Sequence, residues 1–171
     1  RHMVEVVTRL GRETPSGGRY DDRHYEALLL AGILHDIGKR PGVANHAAEG
    51  ARHATVVVER MGFDRDIVRW VTLLVREHLT LSEFATGRNP NDPNVGDDLA
   101  GRLDHNPVLL DMLFDLTRAD GSSLGATSGE TISKQYGWFI AGSSYWSIAW
   151  INQEVREAMY SGISYAQIGR A

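Results

Sequence analysis

The 171-residue chain reads as an all-α protein. Two observations predict this: apolar residues recur at helical spacing along almost the whole sequence, and strict two-residue alternation never persists long enough to make a strand. A third sets the scale. With 42% hydrophobic residues over this length, the chain can bury one sizeable core, so a single domain covering 1–171 is expected.

The elements follow in order. A first helix is expected over about residues 2–12, ending in the Gly-, Pro- and Ser-containing loop "GRETPSGGRYDD". A second is expected over about 22–38, with Asp21 or Asp22 as its N-cap and Gly38 near its stop. The loop "KRPGVAN" leads to a third helix over about 46–61, which Gly62 ends. A fourth starts after Asp64, again a capping type, and extends to about Leu81. "SEFATGRNPNDPNVGD" then reads as a polar loop with two prolines, of a length more often functional than accidental. A short helix is expected over 95–103. In "NPVLLDMLFDLTRAD", Asn106 is the cap and Pro107 takes the first helical position, where its missing N–H costs nothing. A last long helix is expected over much of 130–160, with Trp138, Trp146 and Trp150 spaced like a packed face.

Composition removes several functions. Eighteen Lys and Arg stand against 22 Asp and Glu, a net charge of −4, so no overall basic field draws in DNA. There is no cysteine, which excludes thiol nucleophiles and thiolate ligands; any metal site must use His, Asp or Glu. The start "RHMVEVVTRL" has no secretory pattern, and the most apolar windows, "ALLLAGIL" and "WFIAGSSYWSIAWI", fall short of the roughly 20 residues that span a bilayer. A cytoplasmic protein without membrane association is expected. Because the helical pattern is already running at residue 1, the chain reads as a piece of a longer one.

The informative residues are polar side chains on stripes that should be core. Ile67, Val71, Leu74 and His78 fall on one helical stripe, as do Leu109, Leu113, Leu116 and Asp120. Leu28, Ala31 and His35 form another, with Asp36 about 100° further round a nearly all-apolar helix. His2 shares a face with Val6 and Leu10. For any one of these, a hydrogen-bonded core residue is the simpler reading. For His35, Asp36, His78 and Asp120 together, on three helices, a divalent cation compensates all the buried polarity at once. Imidazole and carboxylate without sulfur suit Mn, Mg, Fe or Zn.

An adjacent His–Asp pair followed by Gly and Lys, an earlier lone His, later single histidines and a distant Asp resemble the HD superfamily of metal-dependent phosphohydrolases. The resemblance implies an HD-domain helical bundle in which His2, His35, Asp36 and Asp120 hold a metal. It adds His46 and His78 as further histidines that hold a second metal or contact phosphate, for one or two ions in all. "HDIGK", "NHAAEGA", "WVTLLVREHLTLSEFATGRNPNDPNV" and "LFDLTRADGSSLGATS" together look like the HD domain of bacterial PII-protein uridylyltransferases, over nearly the whole chain.

That likeness implies hydrolysis of a nucleotidyl group, UMP or AMP, from a tyrosine of the nitrogen-signalling PII protein. It also implies a nucleotidyltransferase domain before this segment and glutamine-sensing ACT domains after it. In such a site the metal lowers the pKa of a bound water and polarises a phosphoryl oxygen. Asp36 is the candidate to bridge two metals or to steer the water. Lys39, at i+3 from Asp36, reaches non-bridging phosphate oxygens or is a solvated helix-end lysine. Arg88 and Arg118 are candidate phosphate contacts or solvated cations. His53 reads as surface or supporting, and His24 and His105 as surface.

The chain departs from the pattern in its longer "KRPGVANH" loop with Asn45 before His46, in Gly87 and Asn89 around Arg88, and in Ile140. Two other readings are a free-standing HD phosphohydrolase of nucleotides or cyclic dinucleotides, and a silent nucleotide-binding regulatory domain. "REHLT" lacks the second histidine expected of the cyclic-dinucleotide branch, and a silent domain has no need to keep every ligand.

Overall fold

The computed structural model describes residues 1–14, 17–88 and 92–123. The helix expected over 130–160, with Ile140 and the three tryptophans, lies outside the described residues, as does Asn89. The described residues form seven helices and no strand: α1 (His2–Glu13), α2 (Asp22–Leu34), α3 (His46–Arg60), α4 (Arg65–Glu77), α5 (Thr80–Gly87), α6 (Pro93–Arg102) and α7 (Pro107–Ser122). The all-α expectation holds for them.

Several boundaries differ from those the sequence suggests. α2 stops at Leu34, and His35 to Gly38 form a turn rather than a last helical turn. α4 ends at Glu77 with His78 as its C-cap, not at Leu81. Much of the expected polar loop is helix, because α5 runs Thr80–Gly87 and α6 already starts at Pro93. Polarity hid α5: Leu81 and Phe84, at i and i+3, are buried while its other positions read as loop.

The chain divides into two compact units, the first made of Arg1–Leu79 with the end of α7 from Asp115, the second containing Thr80–Phe114. In the first unit α3 packs along α4, while α2 packs against both α4 and α1. Its core is the set of stripes read from the sequence: Val6 and Leu10 of α1, Leu28 and Ala31 of α2, Ala54 and Val58 of α3, Ile67, Val71 and Leu74 of α4, and Leu116 and Ala119 of α7.

Caps set where the helices begin. Asp21 accepts from the His24 amide at 2.9 Å, Asn45 from the Ala48 amide at 2.9 Å, and Asp64 from the Asp66 and Ile67 amides at 3.0 and 3.2 Å. Between α3 and α4, Gly62 has φ +85°, a left-handed conformation that reverses the chain. Thr55 and Thr72 then hydrogen-bond across the pair at 2.7 Å.

In the second unit the buried residues include Leu81 and Phe84 of α5, Val95 and Leu99 of α6, Leu103, and Leu109, Leu110, Met112 and Leu113 of α7. Arg88 and Arg102 both place their guanidinium groups over the Phe84 ring, at 4.8 and 5.3 Å from its centroid.

One polar contact ties the loop after α1 to α7 within the first unit. The Tyr20 hydroxyl donates to Asp115 Oδ2 at 2.6 Å, and Arg19 reaches the same oxygen at 3.1 Å. Burial, with the Asp115 charge behind it, pushes the Tyr20 hydroxyl far above its usual pKa, so it remains a donor. Tyr20→Phe leaves a buried carboxylate short of one partner and is expected to cost about 1.5–3 kcal/mol in urea unfolding. A cost below about 0.5 kcal/mol would show that Asp115 is satisfied without the Tyr20 hydroxyl.

Candidate metal centre

The site lies wholly within the first unit and is built at helix ends. His2 opens α1, His35 caps α2 and Asp36 follows it in the turn, His46 opens α3, His78 caps α4, and Asp120 lies in the last turns of α7. A helix end can aim a side chain along its axis as well as sideways, which lets five separate elements meet at one place.

Each buried imidazole is oriented from behind. His35 Nδ1 donates to the Gly32 carbonyl at 2.9 Å, and His78 Nδ1 donates to the Val75 carbonyl at 2.7 Å. Both hydrogen bonds run to a carbonyl three residues earlier, so the local turn fixes the tautomer and leaves Nε2 with its lone pair facing the cluster. His35 is fully buried, and its Nε2 has no hydrogen-bond partner.

The other atoms converge on that nitrogen. Asp120 Oδ1 stands 3.6 Å and Asp36 Oδ2 3.8 Å from His35 Nε2. His2 Nε2 hydrogen-bonds Asp120 Oδ1 at 2.8 Å. On the far side of Asp36, its Oδ1 faces His46 Nε2 at 3.5 Å and His78 Nε2 at 3.9 Å. The four rings form a chain with centroids 5.3–5.4 Å apart, His2 to His35 to His78 to His46. Two groups of three therefore have metal-ligand spacing, His2, His35 and Asp36, and Asp36, His46 and His78. Asp36 belongs to both, with one oxygen toward each.

The electrostatics show what the cluster lacks. Burial works against a charge on His35, yet the Asp120 carboxylate, helped by Asp36, outweighs it and raises the imidazole pKa. Burial likewise works against Asp120 ionising, but His35 and His2 hold its carboxyl below the ordinary range. At 3.6 Å the two atoms are outside hydrogen-bonding range, so the attraction is one of charge. In His78 burial wins and the pKa falls, which favours the neutral, ligating imidazole. Two carboxylates among four imidazoles, with the buried Nε2 of His35 unpartnered, fit a cation. The donor set has no sulfur and suits Mg, Mn, Fe or Zn.

Three glycines that the sequence reading did not assign to the site allow this convergence. A Cβ on Gly38 would lie 2.2 Å from the His46 carbonyl oxygen and 2.4 Å from the Gly50 nitrogen. The turn after Asp36 thus rests directly on the backbone of α3. A Cβ on Gly32 would lie 2.8 Å from Leu10 Cδ1 and 3.3 Å from Val7 Cγ2, so α1 packs its side chains closely on α2 here, and carries His2 with it. Gly50, in contact with Val75 and Gly38, serves the same packing from α3. The signal was present as glycines within α2 and α3 and in the turn between them.

The predicted site residues separate into two sets. The structure brings together His2, His35, Asp36, His46, His78 and Asp120, and sets Lys39 Nζ 3.1 Å from Asp36 Oδ2. Arg118 is about 200° round α7 from Asp120 and binds Glu13 at 2.7 Å, with Asp115 Oδ1 at 3.9 Å. Arg88 belongs to the second unit and pairs with Asp98 at 3.3 Å. His53 binds Glu49 Oε1 at 3.1 Å, and His105 is exposed. His24, expected on the surface, is half-buried, stacked on Trp70 with centroids 4.2 Å apart.

An all-helical frame closing an adjacent His–Asp pair, further histidines and a distant Asp around one point is the arrangement that the HD resemblance anticipates. The chain is homologous to part of the bifunctional uridylyltransferase/uridylyl-removing enzymes. It is 35% identical over 125 residues to that enzyme of Mycobacterium tuberculosis and 36% over 126 to that of Streptomyces coelicolor, each match covering 73% of this chain. With that of Caulobacter vibrioides it is 42% identical over 100 residues, 58% of the chain. The matched segments span only 10–15% of the length of these relatives. No family model matches the chain, and no solved structure matches it. No helix among the described residues is long and apolar enough to cross a membrane.

Proposed function

We propose that this chain is the hydrolytic, uridylyl-removing part of a bifunctional enzyme, cleaving a nucleotidyl–tyrosine phosphodiester on a nucleotidylylated PII signalling protein with a divalent metal. The observation that carries the reading is the placement of Asp36 between two histidine groups, in a chain homologous to enzymes named for uridylyl removal. His2, His35, Asp36 and Asp120 would hold one ion, and His46 and His78 would share Asp36 with a second. When bound, a divalent cation supplies Lewis acidity, activating water at neutral pH and polarising a phosphoryl oxygen.

The chain's own residues supply the rest. The Gly32 and Val75 carbonyls hold the His35 and His78 rings in the ligating tautomer. Lys39, ion-paired to Asp36 and otherwise exposed, brings an ammonium to the edge of the cluster, where it can neutralise the diester's single charge. In the reaction water adds to phosphorus, the phosphorus–oxygen bond to tyrosine breaks, and the products are a nucleoside monophosphate and the free phenol.

The test is release of UMP or AMP from the corresponding PII conjugates, with Mn or Mg and with chelator. Metal-dependent release of one nucleotide is expected. No release from either conjugate by protein that has bound metal would sink the reading.

A further inference from the structure

Beside the cluster, the loop after Lys39 and the first turns of α3 carry cations that the hydrolytic chemistry does not use. Arg40 Nη2 binds Glu49 Oε1 at 2.9 Å, His53 Nε2 binds the same oxygen at 3.1 Å, and Arg52 binds Oε2. Both oxygens of one largely buried carboxylate are thus occupied, and Glu49 acts as an anchor. The arginine side chains it holds are 60% exposed for Arg40 and 79% for Arg52, and that of Lys39, next in sequence to Arg40, is 65% exposed.

The charges do not cancel. Lys39 pairs with Asp36, while Arg40 and Arg52 share the single Glu49 carboxylate, so three positive charges stand against two negative ones. In a chain of net charge −4, this is a local excess of positive charge at the border of the site. A guanidinium anchored by one or two N–H groups keeps others free in a fixed plane, suited to a carboxylate.

We propose that Arg40 and Arg52 form a docking rim for an acidic segment of the protein substrate, flanking the modified tyrosine. This rests on the function proposed above. The scissile diester carries a single negative charge, which a metal held by the histidines and Asp36, with Lys39, would meet. The two arginines therefore have a second anion to recognise, and on a protein conjugate that anion is carboxylate side chains.

The experiment compares two substrates of the same chemistry, the nucleotidylylated protein and the small diester bis(4-nitrophenyl) phosphate, both with Mn. For Arg40→Glu/Arg52→Glu, kcat/KM on the protein conjugate is expected to fall about tenfold or more, mainly through KM, and to lose its salt dependence. Hydrolysis of the small diester is expected to stay within about twofold. Arg40→Gln/Arg52→Gln, which removes charge without reversing it beside Glu49, should give an intermediate loss, and Arg52→Lys should retain most of the rate. Equal losses on both substrates would overturn the proposal, since the arginines would then serve the reacting centre or the fold. Unchanged kinetics on both would overturn it as well. Hydrolysis of neither substrate by the unsubstituted protein would instead sink the function reading, and the rim with it.

Discussion

Asp36→Ala is expected to abolish nucleotide release, by at least about a thousandfold, and to remove metal binding at both histidine groups while the helices stay folded. Asp36 gives one oxygen to each group, so its loss takes an anionic ligand from both. The several kcal/mol of charge stabilisation that a metal supplies to phosphoryl transfer converts at about 1.4 kcal/mol per tenfold. The fold should change little, by about 1 kcal/mol or less, because Asp36 hydrogen-bonds only Lys39, which is mostly exposed, and stands 3.5 and 3.9 Å from the His46 and His78 nitrogens of α3 and α4. Isothermal titration with Mn, release kinetics and thermal unfolding on one preparation check the three parts. Retention of metal at one histidine group with full loss at the other would show that Asp36 serves a single ion.

Gly38→Ala should do the opposite, damaging the site through the frame. The new methyl meets backbone, the His46 carbonyl and the Gly50 nitrogen, and neither can swing aside as a side-chain tip would. Relief requires the turn carrying His35 and Asp36 to move off α3, which also separates Asp36 from His46. A loss of about 3 kcal/mol is expected, at the upper end of the range for overpacked sites, together with weakened metal binding. Gly50→Ala provides the graded control. Its Cβ would meet Gly38 and Val75 at 3.3 Å, so a loss of about 1 kcal/mol is expected. Equal stability of the two variants in chemical unfolding would refute this account of the contact.

The contrast shows which parts of the site were legible in the sequence. Imidazole and carboxylate on an apolar stripe are detectable residue by residue, because burying them uncompensated is costly. His78 on the Ile67 stripe and Asp120 on the Leu109 stripe were found this way, and the structure sets both beside the dyad. Helix endings were harder. His35 and His78 lie just past the last helical residue, not on a continuing face, because each ring bonds the carbonyl three residues back. Periodicity alone could not separate that from another turn of helix.

Gly32 and Gly38 were legible only as punctuation, since a close approach, to side chains of α1 for Gly32 and to the α3 backbone for Gly38, depends on a partner element that the local sequence does not name. Arg118 lies two residues from Asp120 in sequence, yet two residues along a helix point nearly opposite ways, and its guanidinium binds Glu13.

The His2–Asp120 contact joins residues 118 positions apart. An ion held there would act as a clasp on α1, the one helix whose ligand opens the described chain. Since the unfolded chain cannot preserve that clasp, each ligand bound by the folded form adds RT ln(1 + [L]/Kd) to stability, about 2.7 kcal/mol at a hundredfold excess over Kd. The concentration of free metal would then decide both how fast the centre reacts and how firmly the first helix is fastened to the rest of its unit.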